Sequence, residues 1–374
     1  MRNERQITYM QQAEERERKK RADRLNRLRS AEAAIKRATT DFDRLDEGEA
    51  PEIRLREGFI RLATRRTPGG LPADPDVAGE MNNDEKLRRD VETRPPLTRL
   101  IFRRSFSLPL LLTAIYVAHL ESKPGKRFEN RHGLSAKAAG ESPFSWAQLS
   151  GMDKGRSDST RARRSRVTRA LDELAAAGMV TLAEGSSKYE KWCLAHEDDV
   201  DGRYTVPGES AKAAMKIPAE FFLRGWHLVL TPPELATYLI IAHLTHMQSQ
   251  PRMVPVGELG GVSARQAVRD GFYGLSGEAY ETIHELEEFR LIDIHDPMPE
   301  RRRGKIRPGN STSEFAIRTE NGAPPLPYNF TLRDIDPAAQ AIQVVVDSLT
   351  GNPVPPLPPR VLAAMTLAAP TGPI

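Results

Sequence analysis

The sequence predicts a mainly α-helical protein with small β-hairpins (α+β), in which one helical unit occurs twice. The first observation is an internal duplication, because three segments of residues 102–182 recur in the same order within residues 226–294. The second is the 3.6-residue spacing of apolar side chains along residues 160–177. The third is the pair of short strand-like segments that follows the longest helix of each unit.

The duplication consists of three matched segments. Residues 114–120 return as 238–244, 146–152 return as 256–262, and 170–174 return as 282–286. The offsets between the matched segments are 124, 110 and 112 residues, so the copies differ mainly by 14 residues inserted after the first element of copy one. Three matches in one order are less readily produced by chance than one apolar stretch.

Length and composition restrict the class of protein. A chain of 374 residues suits two or three domains. Cys193 is the single cysteine, which excludes an intramolecular disulfide framework and a cysteine-rich zinc site. No apolar run approaches the roughly 18 residues that span a bilayer, and the charged N-terminus does not look like a secretory signal. We therefore expect a cytoplasmic protein without a membrane partner.

The N-terminal elements are a charged helix and a linker. Residues 1–40 lack Gly and Pro, and residues 14–37 hold ten basic side chains against five acidic ones. Their thin apolar stripe predicts a solvated, partly frayed helix, with a basic arm touching DNA or a pairing helix as alternatives. Residues 41–96 combine a short apolar patch with Pro- and Gly-rich sequence, which predicts a linker that is largely disordered.

The first repeated unit is predicted over residues 97–205. Its expected elements are an extended segment at 100–106, a helix at 108–121, a polar insertion at 122–144, a short helix at 146–149, a longer helix ending at Ala177, and a hairpin within 179–194. Gly151 and Gly178 are the expected stop signals of the last two helices.

The second unit is predicted over residues 206–320, and a Pro-rich tail over 321–374. The unit is expected to contain an extended segment at 215–222, helices at 232–247, 254–259 and 276–289, a strand at 291–295 and a returning strand at 314–318. One short helix in the tail, at about 337–349, is expected to pack on the second unit.

This order of helix, short helix, turn, longer helix and hairpin resembles the winged helix-turn-helix family. The residues that carry the resemblance are Trp146, Leu149, Val167, Leu171, Leu174, Met179 and Val180. The resemblance covers residues 97–320 and implies two winged-helix domains. In this family the third helix commonly enters the major groove of DNA, with its N-terminal half nearest the bases.

The candidate DNA-binding residues lie in Thr160–Arg169, which holds five arginines and no acid. Helical geometry turns Arg161, Ser165, Thr168 and Arg169 outward, sets Arg164 and Arg166 on the flanks, and favours the preceding turn for Arg163. Arg161 and Arg169 are the candidate base readers, because a guanidinium can bond guanine O6 and N7 together. Arg164 and Arg166 are candidate phosphate contacts, and Lys188 adds a cation from the hairpin. The competing interpretation is a solvated basic helix face.

The second copy has the opposite charge at its longer helix. Glu281 occupies the position of Arg169, and Glu278, Glu285, Glu287 and Glu288 crowd the same segment. Carboxylates there repel phosphate. The basic residues of this copy lie in its predicted wing, where they would reach the DNA backbone or a narrow minor groove, or form a solvated loop; they are Arg301, Arg302, Arg303, Lys305 and Arg307. Copy one is therefore the expected sequence reader, and copy two a clamp or a surface for dimerisation or another partner.

The predicted function is sequence-specific binding of double-stranded DNA. Tandem winged helices resemble the replication initiators of bacterial plasmids and phages, and a transcriptional regulator or a protein-interaction adaptor is the alternative. We find no catalytic constellation, no cofactor motif and no metal site, since Asp293 and His295 are only two ligands. The expected partners are double-stranded DNA and a second copy of the chain, paired through the second winged helix or the N-terminal helix.

Overall fold

The computed structural model describes residues 2–46, 52–66, 90–101, 106–135, 142–153, 158–197, 202–209, 211, 213–249, 260–297 and 327–351. As the sequence predicts, these residues form a mainly α-helical structure with small antiparallel sheets. The buried side chains of both repeated units belong to one contiguous apolar cluster.

The first part of the described chain contains eight regular elements and a hairpin. They are α1 (Arg2–Asp46), β1 (Glu52–Arg56), α2 (Glu57–Ile60), α3 (Pro96–Leu100), α4 (Ser107–Glu121), α5 (Trp146–Leu149), α6 (Thr160–Ala176), the hairpin β2 (Val180–Thr181) and β3 (Cys193–Leu194), and β4 (Ala214–Pro218).

The remaining elements follow in the second part. They are α7 (Glu220–Leu223), α8 (Trp226–Val229), α9 (Pro232–Ser249), β5 (Val262–Ser263), α10 (Gln266–Val268), α11 (Gly277–Tyr280), α12 (Ile283–Glu288), β6 (Ile292–His295), β7 (Asn329–Leu332) and α13 (Ala341–Gly351). Strands β5, β7 and β6 form one antiparallel sheet in that order, and β2 pairs with β3 in another.

Helix α1 lies against the core along its C-terminal half, which corrects the expectation of a solvated helix. Its side chains Leu28, Ile35 and Phe42 are at most 8% exposed, and the helix packs on α5, α7 and α13. The turn before α8 comes especially close, because a Cβ added at Gly225 would lie 2.9 Å from Cγ2 of Thr39. The apolar stripe of α1 is therefore used within the same chain.

A buried ion pair joins α1 to α9. The guanidinium of Arg24 donates from Nη1 and Nη2 to the two carboxylate oxygens of Glu234, at 2.5 and 2.8 Å. Glu234 also accepts the backbone N–H of Thr231 at 2.8 Å, which caps the start of α9. The ring of Phe289 covers the guanidinium at 5.0 Å. Both charges are thus removed from water but matched in geometry.

Residues 52–66 belong to the fold, which corrects their assignment to a linker. Strand β1 pairs antiparallel with β4, so that Ile53 lies opposite Ile217 and Leu55 opposite Met215. All four of these side chains are buried, because alternate residues of each strand face the core. Residues 67–89, which carry the Pro- and Gly-rich sequence, lie outside the described residues.

The matched histidines of the two copies hold this segment to the two long helices. In copy one, Nδ1 of His119 lies 2.8 Å from the carbonyl oxygen of Ile115. Its Nε2 accepts a hydrogen bond from the backbone N–H of Arg54 at 3.2 Å. In copy two, Nε2 of His243 lies 3.9 Å from the carboxylate of Glu57. Both histidines are thus packed between a long helix and residues 52–66.

The second copy departs from its predicted elements at two places. The helix expected at 276–289 is broken between α11 and α12, where the backbone N–H groups of Thr282 and His284 bond the carbonyl oxygens three residues before them, at 3.3 and 3.4 Å, instead of four. The strand opposite β6 is β7, whereas the expected returning strand at 314–318 and the expected helix at 254–259 lie outside the described residues.

The C-terminal helix α13 packs on α1 and α8. The sequence predicts this helix and its packing on the second unit, to which α8 belongs, and the structure adds the contact with α1. Its buried residues Ile342, Val345 and Leu349 follow the 3.6-residue period and face the shared core.

We expect Arg24→Met to lower the free energy of unfolding by about 3–5 kcal/mol, because it leaves Glu234 as an uncompensated buried charge. Urea denaturation followed by circular dichroism measures this loss. The double variant Arg24→Met, Glu234→Gln should recover part of it. Arg29→Met, on the exposed side of α1, is the matched control. An equal loss in the control would contradict a specific role of the pair.

We expect the free energy of unfolding to decrease as the pH is lowered, and we expect His119 to cause part of that decrease. Burial lowers the pKa of His119 to about 4 from 6.5, so the unfolded chain binds a proton at a higher pH than the folded chain does. The contribution is therefore complete above pH 6.5 and is lost as the pH falls towards 4. The stability difference between wild type and His119→Gln should shrink by about 3 kcal/mol across this window.

Urea midpoints at several pH values measure that difference. The exposed His295→Gln variant is the control for the loss of a histidine that is not buried. If the His119→Gln difference stays constant, the bond to the Arg54 N–H does not require a neutral imidazole.

Candidate nucleic-acid interface

Helix α6 carries the candidate residues of copy one, and local signals define both of its ends. The hydroxyl of Ser159 accepts the backbone N–H of Ala162 at 3.1 Å and so caps the first turn. Gly178, with φ of +74°, follows the last turn, where the left-handed conformation favours glycine. The helix therefore begins early enough to include Arg161.

The buried face of α6 is the one that the periodicity predicts. Val167, Ala170, Leu171 and Leu174 are at most 1% exposed and pack towards α4 and α5. A row of this kind fixes the rotation of the helix, because turning it would bring arginines into the core. The opposite face is consequently held towards solvent.

The outward face presents the two candidate base readers. Arg161 and Ser165 are exposed, Thr168 is half-buried, and the Arg169 side chain is 71% exposed. Arg161 makes no ion pair with any residue that the structure describes. These four side chains lie where the sequence analysis puts them.

Arg163 and Arg166 hold the preceding turn to the helix, which corrects both assignments. Arg163 lies within α6 rather than in the turn, and its Nη1 donates to Asp153 at 3.0 Å. Arg166 contacts the carboxylate of Asp158 and donates to the carbonyl oxygen of Met152 at 2.9 Å. The guanidinium of Arg166, expected to contact phosphate, is thus engaged with its own chain.

Two further arginines of α6 form exposed ion pairs. Arg164 contacts Glu190 at 2.7 Å, with both side chains nearly half exposed. Arg169 reaches Glu173, one turn along the helix, at 3.6 Å. Exposed pairs of this kind contribute about 0–1 kcal/mol each and are screened by salt.

Lys188, in the loop of the hairpin, contacts Asp172 of α6. Its ammonium donates to Oη of Tyr189 at 3.2 Å and to the carboxylate of Asp172 at 3.1 Å. These hydrogen bonds, to Tyr189 first and to Asp172 second, raise the pKa of Lys188. The lysine is therefore charged at neutral pH and lies beside the middle of α6.

Four of the five arginines of α6 thus lie within 4 Å of a carboxylate. The segment Thr160–Arg169 has no acid of its own, so its carboxylate partners come from residues on either side of it. Asp153 and Asp158 precede the helix closely enough to be suspected from sequence. Glu190 comes from the hairpin, and only the fold brings it to Arg164.

The corresponding acidic segment of copy two faces α1. Glu288 accepts a hydrogen bond from Arg21 at 3.0 Å, and burial raises the pKa of Glu285. Glu281, the counterpart of Arg169, lies in the break between α11 and α12. The predicted wing cations Arg301, Arg302, Arg303, Lys305 and Arg307 lie outside the described residues.

The two potential metal ligands of β6 have other partners. Asp293 contacts Arg333 at 2.6 Å, and Nε2 of His295 lies 3.2 Å from the hydroxyl of Thr331. Across the part of the chain that the structure describes, no cluster of three or more metal-ligating side chains occurs.

Comparisons with known proteins give no relative from which a role could be transferred. The chain matches no protein-family model, no curated protein and no solved structure. No helix within the described ranges combines the length and the apolar character that a bilayer crossing needs.

Proposed function

We propose that this chain is a cytoplasmic protein that binds double-stranded DNA in a sequence-specific manner, with α6 in the major groove. The observation that carries the proposal is the orientation of α6. Its apolar face is buried, while Arg161, Ser165 and Arg169 are exposed along its N-terminal half and middle. An exposed helix of this kind fits the major groove, which is about 12 Å wide.

The order of elements supports the winged-helix interpretation of both copies. In copy one, α4, α5 and α6 are followed by the hairpin β2–β3. In copy two, α9 is followed by the segments α10, α11 and α12 and by β6, which pairs with β7. In each copy a short antiparallel pair follows the last of these helices, as expected for a wing.

The ion pairs of α6 are compatible with DNA binding in two different ways. The exposed pairs of Arg164 and Arg169 are weak, so that a phosphate or a guanine edge can replace the carboxylate. The less exposed pairs of Arg163 and Arg166 stabilise the turn that leads into the helix. We therefore assign base reading to Arg161 and Arg169 and backbone contact to Arg164 and Lys188.

A protein-interaction adaptor is the second candidate function. The observation that favours it is the set of carboxylates at the same surface, Asp172, Glu173 and Glu190, which lower its net positive charge. A surface of mixed charge suits a protein partner at least as well as a polyanion. Binding to duplex DNA at low salt separates the two functions, because an adaptor would show none.

We expect Arg161→Ala with Arg169→Ala to weaken binding to the preferred DNA site by about 1–3 kcal/mol for each arginine. The preferred site is first selected from a random duplex library, and fluorescence anisotropy then gives the dissociation constants. For wild type, the plot of log K against log salt should have a slope near −4 if about four phosphates are neutralised.

The matched control for charge is Arg27→Ala with Arg29→Ala, on the exposed side of α1. This control should keep the preference for the selected site. Equal affinity of the α6 variant and wild type for that site would show that α6 is not the sequence reader. If the wild-type protein binds no duplex at low salt, the proposal of DNA binding is wrong and the adaptor function is favoured.

Within DNA binding, we propose initiation of replication of a plasmid or phage-like element, with transcriptional regulation as the alternative. The support is the tandem arrangement of the two units on one core. We expect the gene with its flanking DNA to maintain a marker plasmid that has no origin of its own. The Arg161→Ala, Arg169→Ala variant should lose this maintenance. If the marker plasmid is not maintained although the protein binds its selected site, transcriptional regulation is favoured.

A further inference from the structure

A second basic surface lies in the segment that distinguishes copy one from copy two. Residues 122–131, called here the basic loop, follow α4 and carry Lys123, Lys126, Arg127 and Arg131. All four side chains are exposed, and none forms an ion pair with a residue that the structure describes. In this respect the basic loop differs from α6, where four of five arginines have a carboxylate partner.

The four cations line a shallow cleft of about 320 Å³ together with Glu121, Ser122 and Glu129. One of the two carboxylates, Glu121, is engaged at 3.0 Å by Nε2 of His132. The lining therefore has four cations against two carboxylates and a net positive charge. Cations gathered in this way attract a polyanion, and they do so most strongly at low salt.

The backbone of the basic loop continues the sheet of the wing. Strand β3 is followed by a segment at 203–206, where the N–H of Tyr204 bonds the carbonyl oxygen of Leu194 at 3.0 Å. That segment bonds the loop in turn, from Val206 N–H to the carbonyl oxygen of Lys126 at 3.0 Å. The cations thus lie about two strand spacings, roughly 10 Å, beyond β3.

Side-chain contacts connect the basic loop directly to α6. Nδ2 of Asn130 donates to the carbonyl oxygen of Glu190 at 3.1 Å, and the carboxylate of Glu190 contacts Arg164 at 2.7 Å. Asn130 is itself held, because its Oδ1 accepts Nε1–H of the buried Trp146 at 2.9 Å. One residue, Glu190, therefore separates the exposed face of α6 from the loop.

We propose that the basic loop binds the phosphate backbone of the same duplex whose major groove receives α6. This inference rests on the proposed function and adds a second contact surface to it. Lys126, Arg127 and Arg131 make contacts that are independent of sequence, whereas Arg161 and Arg169 supply the preference for one site. The hydrogen bonds of Asn130 and Val206 hold the loop in place before DNA arrives, so little ordering is needed on binding.

The test compares Lys126→Ala, Arg127→Ala, Arg131→Ala in one chain with a matched triple variant on α1, Arg16→Ala, Lys19→Ala, Arg29→Ala. All substituted side chains are exposed, and each triple removes three charges. Affinity for the selected site and for random duplexes is measured across a salt series with the full chain. Circular dichroism and thermal denaturation confirm that each variant folds.

We expect the loop triple to make the salt slope shallower by about 2–3, since each phosphate contact contributes about 0.9. The dissociation constants for the selected site and for random duplexes should rise by the same factor, so that the ratio of the two constants is unchanged. The α1 triple should leave both the slope and the ratio as in wild type.

Three outcomes would overturn the inference. An unchanged slope for the loop triple, with wild-type binding intact, removes the basic loop from the interface but leaves α6 as the reader. An equal change in the α1 triple shows that only total charge matters. Absence of duplex binding by wild type overturns the inference and the proposed function together.

Discussion

Packing of α1 against both repeated units holds the two parts of the fold together. The Arg24–Glu234 pair fixes the middle of this helix to α9, and Phe42, near its C-terminal end, packs against Tyr116 and His227. Because residues of α1 contact both repeated units, neither unit completes its core alone. A highly charged helix thus joins the two copies, through a few apolar residues and one desolvated ion pair whose geometry offsets the cost of burial.

Helix α6 of copy one and the acidic segment α11–α12 of copy two differ in exposure because different elements surround them. In copy two the acidic segment lies beside α1, and Glu288 is matched there by Arg21. In copy one the equivalent helix α6 keeps its outer face exposed, and its carboxylate partners lie mostly at its edges. The position of α1 therefore leaves α6 of copy one as the better candidate for contact with an external partner.

Carboxylates next to the arginines of α6 lower the net positive charge of this surface. A helix with five unmatched arginines would bind any polyanion, whereas here Asp158 and Asp153 engage two of them and Glu190 shields a third. Under the proposed function, displacement of the exposed carboxylates costs some affinity at every sequence, so that guanine contacts from Arg161 and Arg169 weigh more in the choice of site. The basic loop then supplies attraction that does not depend on sequence.

Several local features could be predicted from the sequence alone: the mainly helical class, the start of α9, the C-terminal end of α6, the apolar row from Val167 to Leu174, and the outward direction of Arg169. These follow from periodicity, capping residues and glycine stops, which act within a few residues. Long-range packing, by contrast, is visible only in the fold: α1 is buried, residues 52–56 pair with 214–218, and Glu190 meets Arg164. Such contacts join residues more than 200 positions apart, as in Arg24 and Glu234 or Arg21 and Glu288. Their energies arise from burial and charge matching that no local pattern encodes.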